Sequence, residues 1–380
     1  MRQHRSYMLR LHAFVLSFSA FYFASVSLAS AQGGRAFTGP LPELQGIRES
    51  GETVNLRELC EGQYTVLKAA CLTCPEFLKS YGEIEAASVD YGPKGVKFVY
   101  FYKSLRHPEL DGHVEPQTID ERLLHVAAAK EKLATQVPWI ADTMEDSIRV
   151  GLQSSSQSIF LVSPEGEVVY AGARLDGSAL RAALSAAVGE PEQVTAVSAL
   201  DLPTIERTQR VPNADTALQV ERPEGLVILS IAPTSPLVTH YVKLRAEAEP
   251  ALLSSGTGRL FLGFYPDPIL DAHWNNLTPP MKYTLQLPEG VTASPVEASA
   301  EQGVGNSDSQ PRQFWVDIEA DAVPEELTLT YHYYACTDTM CEAMSHEYTV
   351  RFEIDDNASR TYGFNRGERG RGGKGKGQNR

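Results

Sequence analysis

The spacing of apolar residues changes character several times along the chain. Residues 13–28 are apolar and uncharged, and they follow a basic stretch that carries Arg2, Arg5 and Arg10. Ala29-Ser30-Ala31 then sets small residues at the positions of an A-x-A cleavage site. This pattern predicts an export signal over residues 1–31, cleaved before Gln32. The rival reading is an uncleaved membrane anchor, because the run is nearly long enough to span a bilayer. Residues 32 to about 60 form a polar lead-in with Gly and Pro, closed by a helical turn at 55–59.

Beyond that point, short β-rich runs alternate with helical stretches. Strands are expected at 64–70, 96–102, 137–141, 159–163 and 168–171, the last two joined by a Glu165-Gly166 turn. Helices are expected at 75–89, with Pro75 in the first turn, at 119–134, and from an Asp176 cap through residue 187. This succession makes residues 32–189 an α/β domain with a mixed sheet. Residues 190–222 are rich in Pro, Glu and Thr, lack periodicity and read as a linker. From 223 to 356 the pattern is β throughout, with runs at 226–231, 240–246, 259–265, 281–287, 313–318, 326–334 and 346–354. That spacing predicts an antiparallel β-sandwich. The last residues, 357–380, turn basic and Gly-rich, cannot form a core and are expected to be disordered.

Composition narrows the function. The chain has 380 residues, enough for two or three domains, and 42% of them are hydrophobic, so a sizeable core is within reach. The formal charge of −14 disfavours a nucleic-acid partner for the chain as a whole. The five cysteines are Cys60, Cys71, Cys74, Cys336 and Cys341. In an oxidising compartment the plainest use of cysteine is a structural disulfide. Five is odd, so at least one thiol is left free or pairs between molecules. The layout is two close pairs in two regions plus one extra thiol.

Cys71-Leu72-Thr73-Cys74-Pro75 lies where an apolar strand gives way to a helix. A thiol there meets the free N–H groups and the positive end of the helix dipole, which stabilise thiolate. A second cysteine one turn away can resolve a mixed disulfide. A zinc site would need two more ligands, and no second C-x-x-C or H-x-x-x-H stands nearby. The pair therefore points to redox chemistry, with an inert disulfide and a metal site as rivals. No cofactor is implied. The order of elements is the thioredoxin-like one, with an insertion between the second strand and the second helix.

The residues around this motif resemble the iodothyronine deiodinase family. Thr73-Cys74-Pro75 with Phe77 is similar to that family's Thr-selenocysteine-Pro motif, with Cys74 at the selenocysteine position. His107-Pro108 with Asp111-Gly112, Ile119-Asp120-Glu121-Arg122-Leu123, and Asp142-Thr143-Met144-Glu145-Asp146 resemble further segments in the same order. The resemblance runs from about 60 to 188. It implies a thioredoxin-like fold and a nucleophile at Cys74, and the family's reaction would be reductive dehalogenation. Departures are the loss of selenium, Leu105 in place of an acidic residue, and a new Cys71 that creates the C-x-x-C. A reducible disulfide fits this sequence better than dehalogenation. Thioredoxin logic makes Cys71 the attacker; deiodinase and peroxiredoxin resemblances favour Cys74. Thr73 is a candidate hydrogen-bond partner for a sulfur and His107 a candidate proton donor or acceptor. Cys60 is either a further resolving thiol or a small buried hydrophobe.

The second pair, Cys336 and Cys341, stands on a turn between two expected strands, where a disulfide fits. The stretch from Tyr331 to Cys341 resembles the cysteine loop of the immunoglobulin-like N-terminal domain of the DsbD thiol:disulfide interchange family. That resemblance covers roughly 225–355 and implies electron transfer to exported partners; a structural hairpin disulfide is the rival. His273-Trp274-Asn275-Asn276-Leu277 either lines this loop or is a packed turn. The expectation is thus a thioredoxin-like domain followed by an immunoglobulin-like sandwich. The chain would act as an exported, periplasmic or secreted thiol–disulfide oxidoreductase on protein thiols or a redox partner. Its rivals are a dehalogenase or cysteine peroxidase using Cys74, and a non-catalytic binding protein. Exchange requires at least one solvent-reachable sulfur in each pair.

Overall fold

A computed structural model describes residues 37–105, 113–205, 225–235 and 237–355. The expected signal, His107 and the basic tail lie outside the described residues. The first region contains β1 (Gly39–Pro40), β2 (Gln45–Arg48), β3 (Thr53–Asn55), α1 (Leu56–Cys60), β4 (Thr65–Ala70), α2 (Pro75–Tyr91) and β5 (Lys97–Tyr102). It continues with α3 (Ile119–Leu133), β6 (Trp139–Asp142), α4 (Ser147–Gly151), β7 (Ile159–Val162), β8 (Glu167–Gly172) and α5 (Gly177–Val188). Its sheet runs β1-β8-β7-β4-β5-β6-β2-β3. β4, β5 and β6 are parallel, and β7 joins β4 antiparallel. A central parallel strand feeding a helix, flanked by an antiparallel hairpin, is the thioredoxin-like layout.

Local chemistry explains the helix starts. Asn55 Oδ1 accepts the Arg57 N–H at 2.8 Å, Thr118 Oγ1 accepts the Glu121 N–H at 3.2 Å, and Asp176 Oδ1 accepts the Ser178 and Ala179 N–H groups at 3.0 Å. Every residue of β4 is buried. The strand's alternation sends Val66 and Ala70 into the core that contains α2, and Leu67 and Ala69 into the core across the sheet. Three short strands in the lead-in and the one-turn helix α4 were not expected. At two to four residues the strands are too short to show a period in sequence. Part of the expected linker lies against α2. Val197–Ala199 forms a 3-10 turn there, and a Cβ on Gly82 would come within 2.7 Å of Val197. Asp90 accepts the Thr195 N–H at 3.0 Å.

The second region is all-β apart from the single turn α6 (Leu252–Ser255) and a 3-10 turn. Its strands are β9 (Val227–Pro233), β10 (Val242–Ala248), β11 (Thr257–Pro266), β12 (Trp274–Asn275), β13 (Lys282–Gln286), β14 (Val291–Ser294), β15 (Glu297–Ser299), β16 (Ser307–Asp308), β17 (Arg312–Ala320), β18 (Glu326–Cys336) and β19 (Cys341–Ile354). Nine of them form one path, β14-β17-β11-β10-β9-β19-β18-β13-β15, which is nearly closed. β9 serves both halves: Val227 and Ile228 pair with β10, while the rest of the strand pairs with β19. The inward-facing residues of both halves share one core, including Leu244, Leu262, Phe264, Tyr283, Tyr331 and Val350. No helix among the described residues is long and apolar enough to cross a membrane.

The two regions meet through buried polar groups. Lys243 on β10 lies 3.2 Å from Glu121 on α3 and also contacts Asp267. The Glu121 carboxylate accepts the His240 N–H at 2.7 Å.

Candidate redox site

β4 ends at Ala70, and the chain turns through Cys71, Leu72 and Thr73 before α2 begins. Cys74 is the N-cap and Pro75 the first helical residue, where a missing N–H leaves no intrahelical bond unmade. The Cys74 carbonyl accepts the Leu78 N–H at 3.0 Å. α2 is 17 residues long, so its dipole is fully developed at this end. Cys71 Sγ sits 3.4 Å from Thr73 Oγ1. Cys74 Sγ donates to Ser156 Oγ at 3.4 Å, across 82 residues of sequence. The two thiols are not joined.

Both sulfurs are buried: Cys71 is 0% and Cys74 1% exposed. This corrects the expectation of a solvent-reachable sulfur in this pair. The same core cluster packs Phe77, Tyr100, Tyr102, Leu105 and Trp139 with the two cysteines, and Leu202 and Ile205 from the segment after α5 pack against it.

Two further groups enter the site. Lys68, on β4, is 1% exposed, lies on the α2 face and holds Nζ 5.3 Å from the centre of the Phe77 ring. Its ammonium donates to the Ala69 carbonyl at 2.8 Å. Burial pushes its pKa down to about 7, against the pull of the nearby Cys74 and Cys71. The Tyr102 hydroxyl lies 3.0 Å from His125 Nδ1. Burial raises the Tyr102 phenol well above its ordinary range and keeps the His125 imidazole neutral. Sequence reading singled out none of Lys68, Tyr102, His125 or Ser156 as a site residue. A charged residue inside an otherwise apolar strand was the available signal for Lys68.

Cys60 belongs to the core on the other face of the sheet, with Leu67, Ala69 and Phe101. Burial pushes its thiol up to about 11. It behaves as a small buried hydrophobe and is separated from the Cys71–Cys74 pair by the sheet.

The second pair is a disulfide, Cys336–Cys341, at the end of the β18–β19 hairpin. Cys336 is buried and Cys341 exposed. The aromatic-polar cluster lines this loop. The His273 N–H bonds the Cys336 carbonyl at 2.9 Å, and Asn275 Nδ2 donates to Cys341 Sγ at 3.4 Å. Trp274 meets Tyr333 edge-on at 6.3 Å. Among the described residues no group of three or more His, Cys, Asp or Glu is placed to hold a metal ion.

No protein-family model matches the chain, and no curated protein matches it. Solved structures resemble part of it. A hypothetical protein from Sinorhizobium meliloti 1021 is 17% identical, over 43% of this chain and 90% of that one, with a TM-score of 0.33. A thiol:disulfide interchange protein from a Bacteroides species is 19% identical, over 42% and 93%, with a TM-score of 0.33. A thioredoxin-family thiol:disulfide interchange protein from Chlorobium tepidum TLS is 15% identical, over 41% and 100%, with a TM-score of 0.31. Likenesses this faint assign no activity to this chain.

Proposed function

We propose that the chain is an exported thiol–disulfide oxidoreductase acting on protein thiols, disulfides or a redox partner protein, in the periplasm or outside the cell. The observation that carries this reading is the placement of Cys71 and Cys74 between the central strand β4 and the N-terminus of α2, with a buried amine on the same face. Cys71 and Cys74 interconvert between dithiol and disulfide, Thr73 supports a sulfur, and His107 supplies or accepts a proton. The all-β region is read as an immunoglobulin-like, DsbD-like module whose Cys336–Cys341 disulfide exchanges electrons with the first pair or with another protein. Because both first-pair cysteines are buried, exchange with a protein requires the site to open.

The test is a redox titration of each pair combined with insulin reduction by the parent and by Cys71→Ser and Cys74→Ser. Reversible formation of a Cys71–Cys74 disulfide, and insulin reduction lost in both variants, supports the proposal. Two pairs that resist reduction at all ordinary potentials would sink it in favour of a non-catalytic protein.

A second reading has its own observation. Burial of both cysteines suits a small substrate better than a protein, and Cys74 is the N-cap residue of α2. A cysteine peroxidase with Cys74 as nucleophile and Cys71 as resolver meets both conditions. Cys74→Ser would then abolish peroxide consumption, whereas Cys71→Ser would only block turnover after the first round. The dehalogenase reading implied by the deiodinase resemblance gains no observation of its own.

A further inference from the structure

A small cleft opens near the redox pair, walled by three separate pieces of the fold. Glu76 and Ser80, one turn apart on α2, form one side, Gln157 from the loop before β7 the second, and Arg174 and Leu175 beyond β8 the third. Lys68, on β4 and 1% exposed, is its floor. The space is about 60 Å³, room for a small functional group rather than for a whole cofactor. Gln157 directly follows Ser156, whose hydroxyl accepts from Cys74 Sγ, so the cleft adjoins the Cys74 side of the pair. Its donors are uncommitted. Lys68 Nζ gives one hydrogen bond, to the Ala69 carbonyl at 2.8 Å, and keeps two further donors. Among the described residues no carboxylate lies within ion-pair distance of Lys68 or Arg174, and the Gln157 side-chain amide has no partner. Ser80 adds no donor, because its hydroxyl donates to the Glu76 main-chain carbonyl at 2.7 Å. The Glu76 carboxylate lies 3.4 Å from Lys79 Nζ. An ammonium enclosed without a countercharge costs stability, and a bound anion offsets that cost.

We propose that this cleft binds a carboxylate of the molecule that reacts with the redox pair, held by Lys68, Arg174 and Gln157. The proposal rests on the redox reading above and names its substrate class. Charge and shape select the group. Lys68 and Arg174 against Glu76 leave one net positive charge, which matches a carboxylate; a phosphate dianion would be under-compensated and would face the Glu76 oxygens. The Arg174 fork takes both oxygens of a planar carboxylate, and the Lys68 ammonium and Gln157 amide add donors at its base. The same group is carried by a small acidic disulfide and by an acidic side chain of a protein. Seated there, it leaves the rest of the substrate at the Cys74 end of the cleft. In the exchange that follows, the substrate's S–S bond breaks and a Cys71–Cys74 bond forms. The two electrons and two protons of the dithiol make the substrate's two thiols. The titratable groups around Lys68 are Glu76 and Arg174 in the cleft and the two cysteines at the β4–α2 turn. Burial holds the Lys68 amine down at about 7, so an anion that favours its charged form binds with proton uptake above that pH.

The test uses the full chain, reduced, and leaves buried Lys68 in place. The Lys68 side-chain NMR resonance is titrated against pH in sodium acetate, sodium phosphate and sodium chloride at matched ionic strength. Acetate should raise the Lys68 midpoint over its value in chloride by about half a pH unit or more, and phosphate by less. Arg174 is exposed, so Arg174→Gln should fold, and in it the acetate shift should shrink. Equal midpoints in acetate and chloride, a larger shift in phosphate, or an acetate shift unchanged in Arg174→Gln overturns the proposal. The source of the carboxylate is then found from rates of oxidation of the reduced pair. The probes are dithiodiglycolate against its diamide, and a disulfide-linked peptide with flanking Asp against its Asn counterpart. For one source the charged-to-uncharged rate ratio should fall about three-fold or more from the parent to Arg174→Gln. That source identifies the substrate as small molecule or protein; a ratio unchanged for both overturns the proposal. Failure of the redox reading looks different: acetate still moves the Lys68 midpoint, while none of these disulfides oxidises the pair.

Discussion

Lys243 Nζ lies 3.2 Å from the Glu121 carboxylate, and this pair joins the all-β region to the thioredoxin-like one. Both side chains are almost wholly enclosed, at 2% and 3% exposure, with Asp267 as a second carboxylate on the same ammonium. Glu121 also receives the His240 N–H, so one carboxylate holds both β10 and the residues that lead into it. Replacing Lys243 by Met strands two buried carboxylates. The expected cost is about 3–5 kcal/mol, the range for breaking a buried pair from one side. Urea unfolding would show it as a lower midpoint. Unfolding of the double variant Lys243→Met/Glu121→Gln should be milder than the sum of the two single losses, because the partners share one interaction. Additive losses would mean the pair does not couple the regions.

Acid should loosen the all-β region before most carboxylates titrate. His240 and His346 stack at 4.2 Å between ring centres. The Tyr348 hydroxyl lies 2.7 Å from His240 Nδ1 and the Tyr333 hydroxyl 3.0 Å from His346 Nε2, a geometry in which each phenol donates to a neutral ring. Burial lowers both imidazoles from 6.5 to about 4. A depressed folded-state pKa gives stability that is present above the unfolded value and lost as pH falls through the folded one. The window for these two rings is therefore about pH 6.5 down to about 4. Burial raises Asp142 to about 6 and Glu115 to about 8, so those carboxyls work against the histidines over the same window. The comparison that isolates a ring is between chains: the denaturant midpoint of His346→Gln should rise relative to the parent as pH falls from about 6.5 to about 4.5. A constant difference across that window would show that the ring is already charged in the fold.

The segment after α5 is held by Asp90, and cutting that tie should expose it. Asp90 accepts the Thr195 N–H at 3.0 Å and pairs with Arg181. Tyr81 donates to the Pro203 carbonyl at 3.4 Å further along. In Asp90→Ala the first tie is gone while the Tyr81 bond and the Gly82–Val197 approach remain. Limited proteolysis between residues 190 and 205 should speed up several-fold, and alkylation of Cys71 and Cys74 should rise with it, since Leu202 and Ile205 pack against the core cluster that holds both cysteines. Faster cleavage with unchanged alkylation would place the covering elsewhere.

The central elements were legible because their patterns are long. The run over 64–70 is β4 within one residue, and the helix expected from Pro75 is α2 with a later end. Cys71, Cys74 and Thr73 were found because a strand–C-x-x-C–helix junction is a local motif, and the structure keeps them together. What escaped has one of two physical causes. Ser156 and the Glu121–Lys243 pair act over sequence distances that only tertiary packing closes. The burial of the first pair escaped for a related reason: its core cluster draws on β5, β6, β7 and α5 as well as on α2, which a local motif does not encode. Lys68 was hidden differently, as one polar letter inside an apolar strand that a hydrophobic pattern averages away.

The two pairs should differ sharply in access, and this separates them in one experiment. Cys341 is exposed at the tip of the hairpin, while Cys336 beneath it is buried, and the loop between them spans a sequence separation of only 5. So short a loop contributes little chain-entropy stabilisation, below the ~3 kcal/mol of a fifteen-residue one. Mild reduction should therefore open Cys336–Cys341 without unfolding the all-β region. After that reduction and without denaturant, brief treatment with a bulky maleimide should label Cys341 first and leave Cys60, Cys71 and Cys74 unlabelled until the fold opens. Asn275→Ala removes the amide donor from Cys341 Sγ and should shift the pair's reduction potential measurably while leaving the urea midpoint unchanged. If Cys71 or Cys74 labels as fast as Cys341, the first site is open in solution and needs no uncovering step. If Asn275→Ala moves the urea midpoint and leaves the potential alone, the loop lined by His273, Trp274 and Asn275 is a packing device rather than part of a redox centre.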